Sequence, residues 1–483
     1  MPGVNRAAPR LLLLSLSLLS ACSTLPTPAP GASDDVPTVP RSTRPVSPDC
    51  AVRSLASQLS GDDLARLRFE TFRPALHAQV YANTLAGLLL ATRTDLNTQY
   101  YGFSSVDLQT LHETWEARFR AEFGDLKQPI TAQADPLMDE YVAGVNDEHT
   151  YYLDPALLQA FEDQSNAVPT SGPRYGFRLA AVPGEDGAVL TDVSADSPAE
   201  EAGLQRGDTI LSVNGAALNR GTDDDTAAAA RYSAVLAAAA TGQPVTLAIR
   251  RGETRLSVTV TPRPISSASL PSGHLDGATY VLRLPSFATE GTAQRVHQLV
   301  HAAQAAGAQR LVLDLRGNRG GLVSEATGVS AAFAPQAAGQ TLEFLDAQDY
   351  SFFYQGGQVR ASGVCFSGDR TLASIQNPAL WRGPLEVLVN KDSASASEVV
   401  AQTLQQAGAR ALGEATVGVG NTATNILSLP GNRGLSVTVA RSKALSGQYL
   451  SAKVAPTVMV SDDLKALAHG YDLPLEAALA AAP

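Results

Sequence analysis

Three serines set among alanines, Ser393-Ala394-Ser395-Ala396-Ser397, run into Glu398 and then into a helical pattern in which Val399, Val400, Leu404 and Ala407 share one side. Before them lies an apolar, β-branched run, Leu385–Val389, which predicts a buried strand, and a turn at Asn390-Lys391-Asp392. Strand, tight turn, serine, helix is a way to present a nucleophilic hydroxyl. At a helix N-terminus the free amides and the helix dipole favour a developing oxyanion, and small neighbours let a substrate backbone approach. Serine is also a favoured N-cap residue, so these residues alone leave both roles open.

Other stretches give this one its meaning. Tyr280–Phe287 (YVLRLPSF), Leu311–Gly321 (LVLDLRGNRGG) and Asp147–Pro155 (DEHTYYLDP) occur with SASASE in an order that resembles the C-terminal-processing, or tail-specific, serine peptidases. The resemblance covers most of the chain beyond residue 140. It implies that Ser395 is the nucleophile and that Ser393 and Ser397 are structural. It places one oxyanion donor at the amide of Ala396 and a second in the loop Gly320-Gly321, where the lack of side chains permits close approach.

A serine hydroxyl needs a base. The family uses a lysine in a Gly-Glu…Gly-Lys-Gly run, kept neutral by desolvation. The corresponding run here is Gly413-Glu414-Ala415-Thr416-Val417-Gly418-Val419-Gly420, with Val419 at the lysine position and Ala423 where a supporting glutamine is usual. Lys391 and Lys443 are other amines to consider, although neither matches the motif. His149 resembles the catalytic histidine of the tricorn-type branch, and histidine is a competent base without burial; many lysine-type members carry a structural histidine there. The alternatives are a substitute base, a degenerate peptidase that only binds peptides, and weak catalysis from the oxyanion hole and binding alone. A Ser–Lys amidase of the β-lactamase type is not supported, because S-x-x-K is absent around Ser395.

The chain has 483 residues and a formal charge of -11. Without a basic block, nucleic acid is not an expected partner. Arg6 and Arg10 precede an apolar segment, Leu11–Leu19, and Leu19-Ser20-Ala21-Cys22 matches a bacterial lipoprotein cleavage box. The expectation is lipidation at Cys22, a Pro-rich tether (23–49), attachment to a membrane through the lipid, and a body facing outside the cytoplasm in the bacterial envelope. That oxidising compartment permits a disulfide between Cys50 and Cys365, while their placement in different predicted domains favours two separate thiols.

The expected fold is multidomain α/β. After the signal peptide (1–22) and tether come a helical N-terminal domain (50–168), a PDZ domain (172–262) and an α/β, ClpP/crotonase-like peptidase core (270–460) with an insert at 335–380. A peripheral helical tail (461–483) follows. Amphipathic stripes at 64–80, 85–96 and 115–123 read as core, with His77 and His112 structural or exposed. Residues 265–279 read as a linker. SPAEEAGLQRGDTILSVNG (197–215) strongly resembles a PDZ domain, which adds a peptide C-terminus as a strand; Tyr175, Gly176 and Phe177 match its carboxylate-binding loop. The implied partners are the C-termini of envelope polypeptides, unless the groove is covered by the chain itself. His297 and His301 have i,i+4 spacing but no third ligand nearby, so neither a metal nor any other cofactor is expected.

Overall fold

The computed structural model describes residues 83–170, 172–219, 230, 233–235, 237–344, 349–363 and 369–480. The leader, the tether, the stripe at 64–80, His77 and all three cysteines (Cys22, Cys50 and Cys365) lie outside the described residues. The architecture is multidomain α/β and is built on three sheets.

The first sheet carries the serine. Its strands run in the order Val458–Met459, Arg410–Gly413, Leu385–Val389, Arg310–Asp314, Thr279–Arg283, Ser272–Asp276. All pairings are parallel except the last, a hairpin. Near-continuous apolar runs are what a parallel sheet covered on both faces requires. Leu311, Leu313, Val387 and Val389 face a core with Val296, Val329, Val400 and Leu404, from the helices Thr292–Ala305, Val323–Ala331 and Ala396–Gln406. Val312, Leu388 and Leu412 face the other way, onto Ala478 of the helix Leu473–Ala480. The strand Ser272–Asp276 corrects the linker reading of 265–279: its residues, SGHLD, carry no apolar alternation, yet they pair in register with Thr279–Arg283 around Gly277.

The second sheet orders Tyr151–Leu153, Arg433–Ala444, Gly339–Phe344, Asp349–Gln355, Gln358–Gly363 and Arg370–Ser374, with Thr422–Leu429 also paired to Arg433–Ala444. The described part of the insert is therefore a meander that extends a sheet. The helices Leu85–Gln99, Leu108–Phe123 and Asp135–Ala143 have no separate core among the described residues. Leu88, Phe119 and Met138 bury themselves against Leu342, Leu435 and Val437 of this sheet.

The PDZ sheet orders Phe177–Ala180, Ala188–Val193, Thr209–Val213, Val245–Arg251 and Thr254–Val260, with Leu190, Ile210, Val235 and Leu247 inside. The segment after 460 is not peripheral. Leu467 and Ala468 are buried against Val182 and Val189 of the PDZ domain. Asp462 and Asp472 each take an ion pair from Arg206 of the PDZ domain and from Arg316 of the peptidase core. This polar cluster was invisible in sequence because its members lie far apart in the chain.

Candidate active site

Ser395 stands at the carboxyl end of the central strand Leu385–Val389, where open α/β sheets bind ligands. The turn before it is tied down by side chains. Ser393 N donates to Asn390 O (2.9 Å), Asn390 N donates to Ser393 Oγ (3.0 Å), and that hydroxyl donates to Leu315 O (2.9 Å). Ser397 Oγ donates to Asn318 O (2.7 Å). Two of the three serines are thus buried structural donors, while Ser395 is half-buried at φ 56°, ψ -120°, the left-handed side where non-glycine residues are uncommon. This strained residue is the N-cap at which the helix Ala396–Gln406 begins.

The double-glycine loop presses on it. A Cβ at Gly320 (φ 94°) would lie 2.7 Å from Ser395 Cβ and 2.9 Å from Ala396 N, and one at Gly321 (φ 144°) would lie 2.2 Å from Phe287 C. Phe287 N donates to Gly320 O and Leu322 N donates to Phe287 O, both at 2.9 Å, which fixes the loop as a one-residue strand extension. The Gly320 amide is turned onto Asn318 Oδ1 (2.9 Å). Of the amides expected at an oxyanion hole, those of Ala396 and Gly321 make no hydrogen bond among the described residues. The fully buried Asn318 also accepts Ala394 N at its carbonyl and donates to Leu284 O, so it ties the double-glycine loop to the serine turn; sequence reasoning quoted it only as part of a motif.

Glu398, fully buried, joins the serine to the next loop. Its Oε1 accepts Thr416 Oγ1 (2.5 Å) and Gly418 N (2.9 Å); its Oε2 accepts Ser395 N (2.8 Å) and Val419 N (3.0 Å). Burial pushes its carboxyl above the ordinary glutamate range, against the lowering pull of these donors.

Val419 is buried and its carbonyl accepts Thr422 Oγ1 (2.9 Å). The same hydroxyl lies 2.6 Å from His149 Nδ1. When its single proton goes to Val419 it accepts from Nδ1–H, and Nε2 is then the unprotonated nitrogen of His149. Nε2 has no hydrogen-bond partner among the described residues. Burial lowers the His149 pKa to about 4, so the ring is neutral at neutral pH. A run of hydrogen bonds thus connects His149 through Thr422, Val419 and Glu398 to the Ser395 amide. Thr422 and Glu398 were both missed as functional residues; a Glu three residues after a helix-opening serine was the available signal for the second.

Comparison with known proteins fits this arrangement. The model of peptidase family S41 matches residues 279–460 and a PDZ-domain model matches residues 189–251. The carboxyl-terminal-processing protease of Synechocystis sp. is 30% identical over 328 residues, covering 65% of this chain and 68% of that protein. This chain belongs to the S41 carboxyl-terminal-processing peptidase family. The chloroplastic C-terminal processing peptidase of Tetradesmus obliquus is 29% identical over 355 residues, covering 70% of each protein. A solved putative S41 protease from Bacteroides fragilis shares the fold, with TM-score 0.50 at 17% identity, covering 80% of this chain and 95% of that one.

Within this S41 chain, the lysines named from sequence separate. Lys443 Nζ is held by Glu343 (2.6 Å), which raises its pKa and keeps it protonated. Lys391 is exposed on the turn before the serines. Lys453, not considered from sequence, lays its stem across Gly418, its Cε 2.7 Å from where a Cβ would stand. In the PDZ domain, Tyr175 is buried and stacks on Phe177 at 4.9 Å, and Gly176 (φ 84°) turns the chain against Ser197. The strand Phe177–Ala180 is an edge, paired on one side only among the described residues. His112 is a core histidine, 2.6 Å from Tyr141 Oη. His297 is also buried: its Nδ1 accepts Ala379 N and its Nε2 donates to Gly328 O, which commits both nitrogens to structure. No group of His, Cys, Asp and Glu suited to a metal occurs among the described residues.

Proposed function

We propose that this S41 peptidase homologue is an active serine endopeptidase of the bacterial envelope, lipid-anchored at Cys22, which captures polypeptide C-termini at Tyr175, Gly176 and Phe177 and cleaves them at Ser395. The carrying observation is Ser395 itself, held at φ 56° at a helix N-terminus with Gly320 packed on its Cβ. In the proposed reaction Ser395 Oγ attacks the scissile carbonyl and its proton passes to His149 Nε2. The amides of Ala396 and Gly321 receive the oxyanion, His149 returns the proton to the leaving amine, and water then hydrolyses the acyl-enzyme. Val419 replaces the family's lysine in this reading, and the neutral His149 tautomer supports the histidine as substitute base.

The same Val419 favours one rival, a catalytically impaired homologue that binds C-termini as a PDZ scaffold. A serine-directed fluorophosphonate on the purified protein separates the two. Labelling that disappears in Ser395→Ala and falls strongly in folded His149→Ala, but persists in Lys453→Ala, supports the proposal. Loss in Lys453→Ala instead would move the base to that lysine. An unlabelled protein that still binds C-terminal peptides would leave the scaffold.

A further inference from the structure

A cavity of about 210 Å³ opens beside Val419. A liquid water occupies about 30 Å³, so this space suits a long side chain. It adjoins the reactive loop: Thr422, which holds His149, and Val419, which shares Glu398 with the Ser395 amide, both form its wall. Phe103 and Ala452 add apolar surface, and Asp147 and Glu148 supply two carboxylates. No lysine, arginine or histidine lines it; Lys453 touches Gly418 without joining the wall. Asp147 accepts the His149 amide on Oδ1 (3.0 Å) and the Thr150 hydroxyl on Oδ2 (3.4 Å) and brings its charge to the wall, whereas exposed Glu148 makes no hydrogen bond or ion pair among the described residues. Phe103 is 38% exposed and stacked on Tyr101 at 4.9 Å, a fixed aromatic surface for an aliphatic stem or a guanidinium.

We infer that this cavity is a substrate subsite for a basic side chain, lysine or arginine, on a residue flanking the scissile bond. The stem packs on Val419 and Phe103, and the cationic head meets Asp147 and Glu148. The inference rests on the peptidase reading for its place in a reaction, but its chemistry is testable by binding alone. A C-terminus held by the PDZ domain and a basic residue at the serine would be separate requirements, which narrows the substrates beyond what either surface selects.

The test uses the full-length Ser395→Ala protein and short Ala/Gly peptides that differ only at one central residue: Arg, Lys, Leu or Glu. C-terminal amidation removes the carboxylate that the PDZ loop would hold. Fluorescence anisotropy at low salt is expected to show Arg and Lys peptides binding about tenfold tighter than the Glu peptide, with the gap closing as salt rises. Glu148→Lys, at an exposed position, is expected to abolish the gap while the protein stays folded. Equal binding of all four, tightest binding of Leu, or a gap unchanged by Glu148→Lys overturns the inference. Fluorophosphonate labelling of the unmutated protein reads the peptidase proposal separately. Labelled protein without a charge preference refutes the subsite alone, and a charge preference without labelling refutes the peptidase reading while the basic-side-chain site stands.

Discussion

Replacing Glu398 by glutamine strikes the junction of serine, helix and loop. Both carboxylate oxygens are acceptors for pairs of donors at 2.5–3.0 Å, and three of the four donors are backbone amides. Glutamine keeps one acceptor and turns an NH₂ group on the other pair. If it faces Oε1's donors, the Thr416 hydroxyl can rotate but the Gly418 amide cannot; if it faces Oε2's, the amides of Ser395 and Val419 both lose their acceptor. A hydrogen bond to a charged group contributes about 1.5–3 kcal/mol, and a stranded buried donor costs about 1–3 kcal/mol. With partial relaxation the expected loss is about 3 kcal/mol. Urea denaturation followed by tryptophan emission is a suitable assay, since Trp381 lies in the peptidase core and Trp115 beneath the second sheet. The fluorophosphonate labelling rate is expected to fall at least tenfold, because the Ser395 backbone and the Val419 loop part company. A Glu398→Gln protein within about 0.5 kcal/mol of the parent, labelled at the same rate, would refute the claim that this carboxylate organises the site.

Gly320→Ala would set a methyl 2.7 Å from Ser395 Cβ at φ 94°, and labelling is expected to drop below detection while circular dichroism stays native. His149 and His112 both have pKa values lowered to about 4 by burial, so the unfolded chain binds more protons between about pH 6.5 and 4; the stability present above pH 6.5 is lost as pH falls through that window, as pH-dependent melting would record. If His149 is the base, the acid limb of the labelling rate lies near pH 4 to 5, and Thr422→Val, but not Thr422→Ser, shifts it; an unmoved limb in Thr422→Val would end the tautomer argument. Asp462→Ala removes acceptors from Arg206, Arg316 and Asn390, and about 3–5 kcal/mol of stability is expected to go with it in urea melts.

The strands, the helix after Ser395 and the PDZ segments were legible because their periodicities are local and their turns carry glycine, proline and asparagine. The strand Ser272–Asp276 was not, since an exposed hairpin edge needs no apolar alternation. The helices between 85 and 143 showed their own stripes, but not that the stripes would land on a sheet assembled from residues much later in the chain. At the site, residue types pointed to Ser395, the two glycines and His149. Thr422, Asn318 and Lys453 stayed hidden because their part is set by which neighbour folding delivers, and a threonine or lysine carries no local mark of that. The Gly320 amide shows the reverse: the motif suggests a donor, while the fold spends it on Asn318.

The acidic pair Asp462 and Asp472 also sets an order of events. Asp462 Oδ2 accepts from Asn390, whose side chain in turn receives the Gly317 amide at the turn that seats the serines, while both aspartates grip Arg206 and Arg316. These residues leave the ribosome after Ser395 and after the whole PDZ domain. Until they arrive, Arg206 lacks its counter-ions, Arg316 has only Asp314, and the turn before the serines lacks one of its braces. A chain that folds from its N-terminus therefore leaves the turn before Ser395 incompletely braced until the segment after residue 460 docks, so the final setting of that turn is coupled to the joining of the PDZ domain and the α/β core.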